Sequence, residues 1–365
     1  MNLQIKSHLF LSELEFVASC VKRGTIAWYY SDNGKLNIVA RNGSMTIRTA
    51  VPLVDKDAKA TFGADVLALR NIVRMNHNSI AQVGLNEFIK VGKCSVYPFV
   101  GPPLGWVYDA TTCSTQCLVS TKALRNAFAA AERFISTFHQ WKYSGNGIGL
   151  ILQNGQLMVN AVSAHYIFEQ RVTAASSSEC FRTFIPKDCL KAILNIGFGP
   201  TSSVQIEVME NHVQFRCGPR SVFIECARYD PFTLDKVPGV SGYKAHFAAG
   251  AAELRGALAR FHVARCESRS VTLMADHGTV YIPIPFNEDA EILDGEELVS
   301  AHCWNQISVS VNLHLLLNFL KHANGAVLFY ASEDKSRVLV QMAAKRLLLV
   351  AFESSTPMRD ANAAD

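Results

Sequence analysis

The feature that most constrains this chain is an internal repeat with a step near 120 residues. Three turn-plus-strand segments share one pattern: Asn33-Gly34 before Lys35–Ala40, Asn154-Gly155 before Gln156–Ala161, and His277-Gly278 before Thr279–Ile284. The glycines stand at 34, 155 and 278, giving steps of 121 and 123 residues. Glycine supplies the positive φ of a tight hairpin turn, and the alternation after it sets one strand face on a core. Short amphipathic helices keep the step: Ala64–Val73, Pro186–Leu194 and Asn312–Leu320, anchored on Leu69, Leu190 and Leu316. A longer segment with apolar residues at helical spacing opens each copy: Ser7–Val21, Ser120–Ser136 and Ala251–Arg265. Strands follow, such as Ser203–Val208 with Val213–Cys217 and Val327–Ala331 with Arg337–Met342. Such a period excludes a solenoid of about 20–50-residue repeats. It predicts three domains, 1–116, 117–240 and 241–352, and a C-terminal tail, 353–365. Pro102–Gly105 and Pro238–Gly242 mark the approaches to the boundaries.

Composition supports packed domains. The 365 residues are 49% hydrophobic and 18% charged, which excludes a largely disordered chain. No run of about 18 apolar residues predicts a membrane span, and Met1–Lys6 lacks the pattern of a secretory signal. Ten cysteines without a dense framework read as reduced, mostly buried hydrophobes, and the expected location is cytoplasmic. Cys113 and Cys117 form a lone pair, and His302-Cys303 would point to opposite faces of a strand. There is no second metal-spaced pair, phosphate loop, nucleophile elbow or His-Glu metal motif. The expectation is a non-catalytic protein with no cofactor and no metal.

Charge is uneven. Residues 1–116 carry 12 basic and 8 acidic groups, 117–240 carry 12 and 9, and the remainder 11 and 14. The first two thirds lean basic, which permits a polyanionic partner.

Four segments give the repeat a family likeness: Gly155–Ile167, Phe223–Pro231, Phe286–Leu293 and Ile307–Asn312. With the phase of the repeat, they make the chain resemble the bacterial DNA polymerase III sliding clamp, the β subunit, over about residues 1–352. The resemblance implies an α+β fold of three tandem clamp domains, each with two helices packed on antiparallel β-sheet. It further implies a head-to-tail homodimer closing as a ring around double-stranded DNA without reading its sequence. Such a processivity factor is set in place by a clamp loader. It tethers a DNA polymerase and other clamp-binding proteins through short linear motifs.

Carried over residue by residue, the DNA-facing candidates are Lys22, Arg23, Arg70, Arg74, Lys122, Arg125, Arg133, Lys142, Lys187, Lys191, Arg255, Arg260, Arg265 and Lys321. Trp141, beside Lys142, reads as a buried anchor or a contact to the sugar-phosphate edge. Phosphate attraction without base contacts is what a sliding ring needs. The peptide-pocket candidates are Val162, Ala164, His165, Tyr166, Ile167, Pro231, Leu349, Val350, Ala351 and Phe352. The dimer-interface candidates are Val96, Tyr97 and Phe99 on an edge strand, facing Phe261 and Val263.

The chain departs from the family pattern. Ala164-His165-Tyr166 stands where Gly-His-Arg is usual, and Asp235-Lys236 where a basic residue follows the proline. Pro98 lies in the expected edge strand, where it cannot donate to a ladder, and the chain continues through Glu353–Asp365. These departures motivate a second reading, a clamp-like scaffold of a mobile element or repair system that no longer forms a standard closed ring. A β-rich binding module without a DNA partner is a third.

Overall fold

The computed structural model describes residues 2–76, 78–99, 115–135, 146–177, 180–197, 202–209, 212–226, 231–264, 269–284 and 295–352. Lys142, Arg265, Trp141, the Cys113 half of the cysteine pair, Pro102–Gly105, Phe286–Leu293 and the 353–365 tail lie outside them.

The order of elements recurs three times. The first copy holds β1 (Asn2–Lys6), α1 (Ser7–Cys20), β2 (Ile26–Asp32), β3 (Lys35–Asn42), β4 (Met45–Pro52), β5 (Thr61–Asp65), α2 (Val66–Met75), β6 (Ile80–Leu85), β7 (Ile89–Val91) and β8 (Cys94–Val96). The second holds β9 (Thr115–Ser120), α3 (Thr121–Glu132), β10 (Gly147–Gln153), β11 (Gln156–Ser163), β12 (Tyr166–Thr173), β13 (Ser176–Ser177), β14 (Phe181–Pro186), α4 (Lys187–Leu194), β15 (Ser203–Val208), β16 (His212–Cys217) and β17 (Arg220–Glu225). The third holds β18 (Lys244–Gly250), α5 (Ala251–Ala264), β19 (Ser270–Asp276), β20 (Thr279–Ile284), β21 (Gly295–Cys303), β22 (Ile307–Asn312), α6 (Leu313–Leu320), β23 (Ala326–Ala331), β24 (Arg337–Met342) and β25 (Lys345–Val350).

Local chemistry explains the recurrence. The three hairpins turn on Asn33-Gly34, Asn154-Gly155 and His277-Gly278, and all six residues have positive φ, between 41° and 84°. That is the demand of a two-residue turn whose twist matches its strands, and glycine meets it without strain. Two of the three short helices start on cap residues at matching places. Asp65 accepts from the Ala68 N–H at 2.7 Å, and Asn312 from the Leu315 N–H at 3.0 Å.

The chain forms two compact bodies. One comprises residues 1–128, 150–157 and 172–230; the other comprises 129–149, 158–171 and the chain from Pro231 onward. In the first, nine strands run β13-β9-β15-β16-β17-β4-β3-β2-β5, and β1-β6-β7-β8 form a second sheet. In the second, strands run β11-β12-β25-β24-β23-β18-β21-β20-β19-β22. Among the described residues no helix is long and apolar enough to cross a membrane.

Consecutive copies are joined by strand pairing. In the first body β17 of the second copy lies antiparallel to β4 of the first, with Val222 opposite Ile47 and Ile224 opposite Met45. Next to this ladder sits a buried charge network. Arg220 Nε and Nη2 donate to Glu13 Oε2 and Oε1 on α1 at 2.9 and 3.0 Å, and Thr49 Oγ1 donates to Oε2 at 2.5 Å. Ser12 Oγ accepts from Nη2 at 3.0 Å, and the guanidinium carbon sits 4.7 Å from the Phe16 ring centroid. Every carboxylate oxygen has a partner, which a buried charge requires.

Removing one member strands the other. Arg220→Ala is expected to cost about 3–5 kcal/mol of stability, and Glu13→Leu combined with Arg220→Met to recover most of it. Denaturant titration of the two variants checks this; equal losses would refute the coupling.

Candidate functional site

The second body carries an apolar cluster on the sheet face opposite the side chains that meet the helices. Strand register builds its floor. Ile167 on β12 lies opposite Leu348 on β25, Leu348 opposite Leu339 on β24, and Leu339 opposite Tyr330 on β23. Side chains of directly paired residues share a face, so these four form one row across the strands. The segment after Pro231 adds Leu234 and Val237, which bury onto the row. Val162, Phe232, Val240, Tyr243 and Tyr330 pack around it, half-buried. The result is a buried apolar cluster whose rim, Val162, Phe232, Val240, Tyr243 and Tyr330, stays half-buried.

Three contacts hold the segment in place. Pro231 packs against Gly149, where an added Cβ would come within 2.8 Å of the proline Cβ. Asn160 Nδ2 donates to the Phe232 carbonyl at 2.9 Å. The Leu234 N–H donates to Glu169 Oε1 at 2.7 Å. Glu169 is opposite Arg346 in the strand register, and Arg346 Nη2 donates to Glu169 Oε2 at 2.6 Å. Burial pushes the Glu169 carboxyl above its ordinary 4.5, against the pull of Arg346 and the Leu234 N–H.

The sequence-derived pocket residues fall in several places. Ile167 is in the cluster and Val162 against it. Pro231 is buried at the root of the segment, and Val350, 40% exposed, shares the row-side face with Leu348. His165 is exposed and accepts from the Val350 N–H through its carbonyl at 3.0 Å, while Ala164 and Ala351 are half-buried at the margin. Phe352, 49% exposed, donates its N–H to the Ser310 carbonyl on β22 at 2.8 Å. Tyr166 and Leu349 are a correction. They pair with each other one residue out of phase with the row, so both point to the helix side, where Tyr166 meets Phe134 edge-on at 6.1 Å. Leu234, Val237, Leu339, Phe232, Val240, Tyr243 and Tyr330 were not singled out by the sequence reading as pocket residues. The Asn160 and Gly149 contacts carry no sequence signal of their own.

Several helix cations are already engaged. Arg125 on α3 donates to the Leu194 and Gly197 carbonyls at 2.7 and 2.9 Å, at the C-terminal end of α4. Arg255 on α5 does the same for Leu320 and Ala323 at 3.2 and 3.4 Å, past α6. These arginines cap orphan carbonyls of the partner helix, so the structure assigns them a fold role that the sequence reading did not anticipate. Arg74 pairs with Glu15 at 2.6 Å, Arg260 with Glu297 at 2.6 Å, and Arg70 reaches the Asn71 side chain. Lys22, Arg23, Lys122, Lys187, Lys191 and Lys321 are exposed, and Arg133 is half-buried.

At the expected dimer edge the strand is shorter than anticipated. β8 ends at Val96, so Pro98 lies outside the ladder, and the Phe99 N–H donates to the Gly63 carbonyl on β5 at 2.8 Å. Val96 is half-buried and Tyr97 is 77% exposed. Phe261 is a second correction: it is 3% exposed and fills the core side of α5, whereas Val263 is 75% exposed.

Two outcomes follow. Arg125→Ala and Arg255→Ala are each expected to lower stability by about 1.5–3 kcal/mol, the worth of a hydrogen bond from a charged group; urea unfolding with no loss would remove the capping role. For Glu169, a raised folded-state pKa means stability is greatest with the carboxyl protonated and falls as pH rises through that pKa. Wild type should therefore gain on Glu169→Gln as pH is lowered towards 4.5, and parallel pH profiles would contradict it.

No protein-family model and no curated protein matches the sequence. Solved structures do. The DNA polymerase sliding clamp of Pseudomonas aeruginosa superposes with a TM-score of 0.82 at 17% identity, over 97% of this chain and 100% of that one. The Caulobacter crescentus polymerase III β protein gives 0.81 at 18% identity, and the DNA polymerase III β subunit of Thermotoga maritima 0.79 at 12%, each with the same coverage. With three copies of one element order and this superposition over almost its whole length, the chain has the fold of the bacterial DNA polymerase III β subunit, the sliding clamp.

Proposed function

We propose that the chain is a DNA sliding clamp, a non-catalytic processivity factor that encircles duplex DNA and tethers a DNA polymerase. The observation that carries this is the superposition, which spans 97% of the chain and the full length of the Pseudomonas clamp. In this reading the three copies are domains divided near residues 116 and 240. The half-buried rim of the apolar cluster, Val162, Phe232, Val240, Tyr243 and Tyr330, takes the short linear motifs of polymerase, clamp loader and other partners. DNA attraction rests on the exposed Lys22, Arg23, Lys122, Lys187, Lys191 and Lys321, with Arg70, Arg133, Lys142 and Arg265 as further candidates.

Repetition supports ring closure. The last strand of the second copy, β17, pairs with the third strand after the opening helix of the first, β4. The last strand of the third copy, β25, pairs with the corresponding strand of the second, β12. One strand of each kind is left over. β8 ends the first copy at a sheet edge, and β21 pairs through Gly295–Ser300 with β20 on one side. Among the described residues its other side carries no ladder there. A head-to-tail dimer consumes both leftovers and closes after two subunits. Tyr97 beside β8, and Leu298 on β21 with Val263 on α5, supply exposed apolar surface, Leu298 being 53% exposed. This replaces the buried Phe261 in the interface.

Two measurements test the reading. The protein loaded on closed circular DNA should stay bound through gel filtration and be lost after linearisation; equal retention on both forms would refute encirclement. Leu298→Asp should shift sedimentation at micromolar concentration from dimer to monomer, and a wild type that is only monomeric would exclude the closed ring.

A further inference from the structure

The outer face of the smaller sheet in the first body carries a cleft distinct from the apolar cluster and from the helix cations. Apolar and polar residues alternate along β1 and β6, so Leu3, Ile5, Ala81 and Val83 are buried while Asn2, Gln4, Ile80 and Gln82 face outward. Register sets Asn2 opposite Gly84 and Gly84 opposite Lys90, one row across three strands. Gly84 leaves the centre of that row without a side chain. A Cβ there would come within 3.3 Å of Asn2 Oδ1 and 3.8 Å of Lys90 Cβ. Around this gap lies a cleft of about 560 Å³, a size that suits a small ligand.

Its walls are chiefly amides. Asn76, just past α2, donates from Nδ2 to Ser7 Oγ at 3.3 Å, and Ser7 Oγ donates to the Asn78 carbonyl at 2.5 Å, which ties down one rim. Asn2, Gln82 and Asn86 line the rest, and their side chains make no hydrogen bond to another described residue. At the opposite end Phe88, half-buried, is braced by the Tyr97 ring at 5.0 Å between centroids. Phe88 and Lys90 stand two residues apart, on one face and about 7 Å from each other along the chain. Among the described residues Lys90 is the only charged group lining the cleft.

We propose that this cleft binds a nucleotide, with the base on Phe88, the base edge against the amides and the phosphate at Lys90. A side-chain amide offers a donor and an acceptor side by side, as Asn or Gln does when it pairs with adenine. An aromatic ring gives a base its stacking partner. The lysine is a point charge for phosphate, and no carboxylate in the lining opposes it. A neutral sugar could use the same amides but would leave Lys90 without a counter-charge. The ligand is either a free nucleotide or one unit of a single strand, since both present the same groups. All the residues belong to the first body, so the assignment does not depend on encirclement.

The test uses the full chain and fluorescein-labelled hexamers, one of deoxyadenosine and one abasic with the same phosphates, followed by anisotropy at about 0.3 M salt to screen diffuse attraction. The adenine hexamer should bind at least about fivefold tighter than the abasic one, the lower end of what one stacked base contributes. Gly84→Leu fills the cleft without changing charge, on an outward-facing strand position whose φ is ordinary. With its melting temperature checked, it should remove that preference, and the exposed Gln82→Glu should weaken the adenine hexamer several-fold. Unlabelled AMP that displaces the hexamer identifies a free nucleotide as sufficient; displacement by oligonucleotide alone assigns the site to a strand. Equal affinity for the two hexamers, a preference that survives Gly84→Leu, or displacement by maltohexaose as readily as by oligonucleotide overturns the proposal. Loss of circular-DNA retention with this preference intact would refute the clamp reading and leave the nucleotide site standing.

Discussion

The structure depends on antiparallel pairing between successive copies of one module. β17 against β4, and β25 against β12, each turn the end of one copy into a sheet neighbour of the copy before it. Backbone hydrogen bonds specify direction but tolerate slippage, and a slip of one residue turns every side chain to the opposite face. Buried charges near both ladders oppose such a slip. In the second body a slip would leave Glu169 buried without Arg346 and would withdraw the acceptor of the Leu234 N–H. In the first, Arg220 enters at the start of β17 and reaches Glu13 on α1, so displaced pairing would strand a carboxylate that is 5% exposed. Losing one partner of such a pair is costly even where the intact pair contributes little net stability.

The same economy of partners decides which cations are available for a polyanion. Arginines on opening helices look from sequence like groups that face DNA. Arg125 and Arg255 instead close the carbonyl ends of α4 and α6, at the same offset from the start of their own helices. Arg74 and Arg260 face acids. The proposed DNA surface therefore relies chiefly on lysines, whose flexible, hydrated ammonium groups give a diffuse attraction with little geometric demand. For the proposed sliding ring, that is the more suitable chemistry.

Legibility varied with the range of the interaction. Turn and cap residues are local, so Asn33-Gly34, Asn154-Gly155 and His277-Gly278 announced their hairpins, and Asp65 and Asn312 their helices. The proposed docking surface was half legible. Ile167 and Val162 could be placed by motif, but Tyr166 and Leu349 could not be separated from their neighbours without the register that sends them to the helix side. Leu339 and Leu348 are ordinary apolar residues in sequence. Only the pairing of β12, β25, β24 and β23 sets their side chains in one row.

What the sequence by itself determined is the repeating module: its period, its hairpins, its helix starts and its α+β character. All of these follow from contacts within a few residues, where side-chain type and spacing suffice. The tertiary structure alone decided which arginines became caps, which glutamates were buried, and that Phe261 faces a core. Those outcomes link residues far apart in the chain, up to 207 positions for Glu13 and Arg220 and 177 for Glu169 and Arg346. A partner at that distance is chosen by the register of paired strands, and no local property of either residue encodes it.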